Sequence, residues 1–397
     1  MTQIPPMIAS ALPREFLLVA ACCRWPLSDA DRSAVAQAAA GPIDWSYFLR
    51  IVARQRVAGL VAQALRAAGV KLPPEGARAL AAGEFAIARQ NLRLSGETIR
   101  LLQAFAAAGI PALALKGISL AQLAYGSLSL KHGRDIDLLV PPQQALAGMG
   151  LIERLGYKLQ DPASELNEAQ RRAFIAHGRE AELVARLGGP RVELHWRLTD
   201  NAALLRGIDA YSPARDVLLS GGETIRTLAE GDLFAYLCVH GAVHAWSRLK
   251  WLADLNAMIA SKPDEEIWRL YRHAQDKGAG LCAGQALMLC RELLGLHLPA
   301  ALAAELAGRR RIRRLVAAAL QAMIGTDAAT ESDRGPAALT RGTLTQFLLG
   351  QGFAFYAAQM RIVCVAAADV VRFPLPPALY FLYPMLRFPS WIWRHLR

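Results

Sequence analysis

The chain has 397 residues, of which 54% are hydrophobic and 20% charged, which supplies a large core and excludes a disordered polymer. Six cysteines without a Cys-x-x-Cys pair exclude a disulfide scaffold or zinc ribbon and suit a reducing cytosol. Lys+Arg 45 against Asp+Glu 33 gives a net charge of +12, which favours anionic partners: nucleotides, nucleic acid or acidic lipid.

No apolar run reaches the roughly 18 residues that a spanning helix requires. Phe16–Cys23 follows both Arg14 and Glu15 and lacks the exit of a signal peptide, so a cytoplasmic protein is expected. The segment 301–397 holds twelve Arg, no Lys and five acids. Aromatic residues, 7% overall, do not interleave with these arginines as a single-strand binding surface needs, so the pattern does not support nucleic acid as partner.

In chain order, the first hundred residues read as helices. Apolar positions recur at spacings of three and four from Trp45 through Leu65, with Asp44 as N-cap and Gly69 as terminator. A long helix is expected over 77–108, closed by Gly109 and Pro111. The period then changes. Ile110–Leu115 reads as a buried strand, Ile118–Tyr125 as a short helix, Asp135–Val140 as a second strand stopped by Pro141-Pro142, and Gln143–Leu155 as an amphipathic helix. Tyr157–Leu159 is a short strand. Glu180–Arg186 and Arg191–Leu198 form a pair across the turn Gly188-Gly189-Pro190. Helix returns from Glu230 to about Leu298, and 326–335 is a polar linker. The expected organisation is α+β: a helical region over 1–109, an α/β core with a small mixed sheet over 110–200, a helical domain completing the cleft over 201–300, and an Arg-rich region with an aromatic tail over 301–397.

Asp135 and Asp137 stand two apart on one strand and project from the same face. Two carboxylates without a cation between them repel, so the pair fits either a divalent metal or a strand end that meets water. Lys116-Gly117 ends a strand and opens a helix whose N-terminus attracts phosphate, with Ser119 in its first turn. Taken alone, this is also an ordinary strand-to-helix turn. A third acid, Glu193, shares a strand face with His195 and Arg197. A phosphate loop, two acids on one strand and one on another can hold two metals about 4 Å apart for in-line phosphoryl attack. Glu180 and Glu182 on the preceding strand are the next candidates for the third acid.

The stretch Leu115-Lys-Gly-Ile-Ser-Leu120, Tyr125 and Arg134-Asp-Ile-Asp-Leu-Leu-Val140 resembles an uncharacterised bacterial nucleotidyltransferase family of the DNA polymerase β-like superfamily. Val192-Glu-Leu-His-Trp-Arg197, Leu237-Cys-Val-His-Gly-Ala-Val-His244 and Arg248-Leu-Lys-Trp-Leu-Ala-Asp254 follow in the same order, and the similarity runs from about Asp44 to about Leu298. The resemblance implies transfer of a nucleoside monophosphate from an NTP, with release of pyrophosphate, to an acceptor that the motifs do not name: a small molecule, glycan, peptide or protein. It implies Mg²⁺ or Mn²⁺ held by Asp135, Asp137 and Glu193, triphosphate contacts from Lys116, Gly117 and Ser119, and secondary electrostatic roles for Lys131 and Arg134. The alternative is a catalytically weak nucleotidyltransferase-like protein that binds or assists at a membrane. Three departures stand out: Ile118 separates Gly117 from Ser119, Lys131 replaces the usual Arg, and Glu193 the usual Asp.

His240 and His244 have zinc-ligand spacing, but no third ligand lies nearby in the sequence, so they read as packing or pocket wall. His195 either touches a metal-bound water or orients Glu193. Arg309–Arg314 reads as a solvated helix face. The tail from Phe373 mixes Trp391, Trp393 and Tyr383 with Arg387, Arg394 and Arg397. It suits either peripheral contact with the inner face of the membrane or packing back onto the protein.

Overall fold

The computed structural model describes residues 12–161, 166–186, 188–219, 221–324, 342–365, 367–373, 375, 379, 382–383 and 385–386. Helix α1 is Arg14–Cys22, and α2 is Asp29–Ala39, started by a capping box between Ser28 and Asp31. Asp44 caps α3 (Trp45–Gln55) by accepting from the Tyr47 amide at 2.9 Å. Arg56 then turns left-handed (φ 57°), so the periodic run from Trp45 to Leu65 is two helices, α3 and α4 (Ala58–Ala67). Helix α5 is Pro74–Ala107, and Gly109 (φ 68°) closes it as expected.

The α/β elements are β1 (Leu113–Ala114), α6 (Ile118–Tyr125), β2 (Asp135–Leu139), α7 (Ala145–Arg154), β3 (Tyr157–Asp161), α8 (Glu168–His177), β4 (Glu180–Ala185) and β5 (Arg191–His195). A hairpin of β6 (Ala214–Leu218) and β7 (Thr224–Leu228) follows, which the apolar pattern does not reveal because only Val217 of β6 is buried. The chain continues as α9 (Glu230–Val243), α10 (Leu249–Ile259), α11 (Asp264–Asp276), α12 (Gly280–Leu294), α13 (Ala300–Gly308), α14 (Arg310–Ile324), α15 (Phe353–Cys364) and α16 (Ala367–Arg372). The fold class is therefore α+β, with a small mixed sheet among helices.

The chain divides into two compact units, each gathered from three stretches. One holds Gly96–Lys116, Arg134–Ala229 and Gly350–Arg397. Its five-stranded sheet has the order β1-β2-β5-β4-β3, with β2 and β5 parallel and the other pairs antiparallel. Strand alternation gives this sheet two unlike faces. Ile136, Leu138, Ala181, Leu183, Val192 and Leu194 are buried on one, where α7 covers them with Met149 and Ile152. Burying such aliphatic side chains contributes about 1.5–3 kcal/mol each for the larger ones. Gly148 lets α7 approach closely: a Cβ there would meet Phe105 and Leu194. The opposite face carries the acids.

The other unit holds Met1–Ser95, Gly117–Gly133 and Glu230–Leu349 and is helical. Its interior is tied by buried polar groups. Gln55 donates to Met323 O at 2.9 Å and accepts from the Leu249 amide at 2.7 Å, which joins α3, α14 and α10. Asp254 accepts from Tyr125 Oη at 2.9 Å and lies 3.4 Å from Lys131 Nζ. Burial and the Asp254 charge push the Tyr125 hydroxyl well above its usual range, so it stays a proton donor. Asn91 fixes the same loop by donating to Lys131 O at 2.6 Å and to Leu128 O.

All six cysteines are free thiols, and Cys22 and Cys23 are core residues. Arg310, Arg313 and Arg314 are exposed, as a solvated face requires. Among the described residues, no helix is long and apolar enough to cross a membrane. Arg387, Trp391, Trp393, Arg394 and Arg397 of the tail, and the linker at 326–335, lie outside the described residues. Tyr383 is buried, and its hydroxyl donates to Phe373 O at 2.8 Å.

Asp254→Ala should lower the unfolding free energy by about 3–5 kcal/mol, because it leaves the Lys131 cation buried without its anion. Tyr125→Phe should cost about 1.5–3 kcal/mol, the worth of a hydrogen bond to a charged group. Urea denaturation measures both. Equal stability of the Asp254 variant and the parent would refute this account.

Candidate active site

The acids meet through strand register. The parallel pairing sets Asp135 opposite Arg191, Asp137 opposite Glu193 and Leu139 opposite His195. The hairpin adds Glu182 beside Glu193 and Glu180 beside His195. One face thus presents Asp137, Glu193, His195, Glu180 and Glu182 in two adjacent rows. Like charges directly opposite across a ladder are destabilising, so this face needs cations.

Lys116 supplies one. The Leu115 amide donates to Asp137 O at 3.0 Å, which sets the next residue against the acid, and Lys116 Nζ lies 2.8 Å from Asp137 Oδ1. His195 is the other basic group on this face. Its Nε2 lies 3.3 Å from Asp137 Oδ1 and 3.7 Å from Glu193 Oε2, while its Nδ1 lies 3.0 Å from Glu180 Oε2. Glu180 is braced in turn by Arg179 at 2.8 Å.

These contacts set the protonation states. Burial alone would raise the Asp137 carboxyl, but Lys116 and His195 outweigh it and hold it well below the usual range. Burial likewise opposes ionisation of Glu180, yet His195, Arg179 and Lys116 bring it down to about 2. Glu193 goes the other way: burial, then the nearby charges of Asp137 and Asp135, push it up. The cluster therefore holds two acids whose ionised form is favoured, Asp137 and Glu180, and one, Glu193, that takes up a proton more readily.

A divalent cation fits this group. One oxygen of Asp137, one of Glu193 and one nitrogen of His195 all lie within 4.8 Å of one another. Asp137 Oδ2 is buried and has no hydrogen-bond partner among the described residues. In the tautomer that carries its proton on Nδ1, the His195 Nε2 lone pair faces oxygens of Asp137 and Glu193 at 3.3 and 3.7 Å, an arrangement that a cation relieves. A carboxylate behind a ligating histidine is the usual support of such a ligand.

Asp135 stands one row away, half-buried, and acts on Glu193 through its charge. The close donor set thus takes His195 where the sequence pairs Asp135 with Asp137. Gly117 is the N-cap of α6 at φ 67°, ψ −123°, a conformation that favours glycine. Ser119 is buried in the first turn of α6, and Arg134 is exposed just before β2. Lys131 is buried against Asp254 in the helical unit. The His240 and His244 rings lie 4.7 Å apart, tilted, and contact Trp251 at 5.5 Å edge-on and 5.2 Å tilted, and Gly241 leaves room for the Trp246 ring.

A family model described as an uncharacterised nucleotidyltransferase matches residues 41–295. No curated protein matches the chain.

Divalent-cation binding provides the direct check. Asp137→Asn or His195→Ala should abolish Mn²⁺ binding followed by calorimetry. Lys116→Met should strengthen it by roughly tenfold or more, because a unit charge within a few ångströms of the same carboxylate no longer competes. Weaker binding in the Lys116 variant would contradict the assignment.

Proposed function

The chain belongs to this family of uncharacterised nucleotidyltransferases, and on that premise we propose that it transfers a nucleoside monophosphate from an NTP to an acceptor with release of pyrophosphate. The observation that carries the reading is the Asp137, Glu193 and His195 group on the polar face of the sheet. These three residues would hold Mg²⁺ or Mn²⁺, whose charge lowers the cost of crowding phosphate oxygens against carboxylates. The core we assign to the DNA polymerase β-like superfamily, supported by acids on two neighbouring parallel strands of a mixed sheet.

The chain's own residues divide the work. Lys116 and His195 hold the Asp137 carboxyl well below its usual range, which favours its ionised form. Glu193, with its raised carboxyl, is the better proton acceptor. It takes the acceptor's hydroxyl proton as that oxygen bonds to the α-phosphorus and the bond from phosphorus to the pyrophosphate oxygen breaks. Burial and the Asp137 charge, with a smaller contribution from Asp135, keep Glu193 basic. Lys116, Gly117 and Ser119 are the candidates for the triphosphate, because a helix N-terminus and an ammonium both favour phosphate. Arg134 and Lys131 add positive charge nearby in sequence, although Lys131 is committed to Asp254. The six free cysteines support a cytoplasmic location.

The pairing of Lys116 with Asp137 favours a second reading, in which the ammonium takes the cation's place and the protein binds nucleotide without turning it over. Purified protein incubated with each labelled NTP, Mg²⁺ or Mn²⁺ and cell extract separates the two. The expected result is pyrophosphate release with label transferred to an extract component. Glu193→Gln should reduce the rate at least about a hundredfold, since a neutral amide neither accepts the proton nor compensates the cation. It should do so without lowering the melting temperature, because Glu193 carries no buried partner charge alone. Asp137→Asn should match that loss and also lower stability, since it strips Lys116 of its closest anion. Retained transfer in both variants would reject the proposal.

A further inference from the structure

A cavity of about 600 Å³ opens where the acid rows end. His195 and Glu180 form the last row; Arg179, just before Glu180, and Arg197, two past His195, line the cavity together with Arg206, Arg361, His177 and Asp200. The chain joins the two places rigidly: the amides of Trp196 and Arg197 both donate to Arg179 O, at 2.9 and 3.2 Å. The size falls within the usual range for a small-molecule site.

The cavity is built rather than incidental. Arg197 is fixed by donating to the carbonyls of Ile175, Ala176 and Gly178 at 3.2, 3.2 and 2.6 Å. The loop over 198–209 is anchored by Asn201, which is buried and donates to Phe355 O and Gln359 Oε1 at 3.2 and 3.0 Å. Four arginines face two acids there, Asp200 and Asp209. Arg197 and Arg361 line the same opening, so their like charges repel there. An anion between them removes that repulsion, and planar guanidinium forks match phosphate or carboxylate oxygens.

We propose that this cavity binds the anionic group, phosphate or carboxylate, of the molecule that accepts the nucleotide. The inference rests on the transferase reading above. Its geometry follows from the strand. Glu193, the proton acceptor, lies four residues before Arg197, a step of at most about 13 Å of extended chain. The acceptor is therefore a small molecule whose hydroxyl and anionic group are separated by a distance of roughly that order. A polymer backbone does not enter a cavity of this size, which sets nucleic acid aside as the acceptor here.

The experiment uses the full chain without NTP or divalent cation, titrated calorimetrically at low salt with inorganic phosphate and, separately, with succinate. One of the two should bind saturably, which identifies the anionic class. Arg361→Gln should weaken that binding by about tenfold to a hundredfold, the loss of a charge-assisted contact. Arg361 is exposed on α15, so the variant should fold, which its melting temperature checks. Glu193→Gln should bind the anion as the parent does while losing transfer. In the transfer assay, Arg361→Gln should raise the KM for the extract's acceptor and leave that for NTP unchanged. Equal anion binding in the Arg361 variant and the parent, or no binding of either anion, overturns the proposal. Arg361-dependent binding in a protein that transfers no NTP overturns the transferase reading and the acceptor role with it, and leaves a bare anion site.

Discussion

Everything at the polar face depends on the parallel register of β2 and β5, which places Asp137 directly across from Glu193. Two carboxylates in that relation destabilise a sheet. The fold answers with an ammonium on Asp137 Oδ1 and an imidazole between the two acids. The apolar opposite face is what makes the arrangement affordable, since Ile136, Leu138, Val192 and Leu194 bind the same strands to α7. A slip of one residue in either strand would bury the acids under that helix. Register is thus enforced from the side that does no chemistry.

Much of this is legible in the sequence. Alternation along Asp135–Leu139 and Arg191–His195 gives the shared face, and Gly188-Gly189-Pro190 makes β4 and β5 neighbours. Pairing outward from that turn would set His195 against Leu183, whereas the structure pairs it with Glu180, so the support of the histidine is not readable from the turn. What the sequence does not carry is the choice between Asp135 and His195 as close partners of Asp137, because it depends on the ångström-level lean of side chains across two strands. Nor does it show that Lys131 serves Asp254, 123 positions later, because that contact arises from how the segment at Gly117–Gly133 docks among helices. The single helix suggested by the periodicity from Trp45 to Leu65 breaks at Arg56 for a local reason, a left-handed residue that apolar spacing does not register.

The two units handle buried charge alike. In one, Asp254 is shared by a hydroxyl and an ammonium; in the other, Asp137 is shared by an ammonium and an imidazole. The difference lies in what is left over. Asp254 faces two donors inside a helical interior, whereas Asp137 keeps a buried oxygen without a partner among the described residues and has a second acid at its side. A satisfied cluster holds helices together. An unsatisfied one of the same composition is a place for a ligand.

Arg179 touches both Glu180, at 2.8 Å, and Asp200, at 3.4 Å. Its single charge is therefore divided between the histidine's support and the wall of the arginine cavity. Whatever draws that guanidinium toward one side weakens its hold on the other, and the energy of the exchange has one value whichever side moves first. If both sites take the ligands proposed for them, their occupancies would be linked through this one residue that belongs to both.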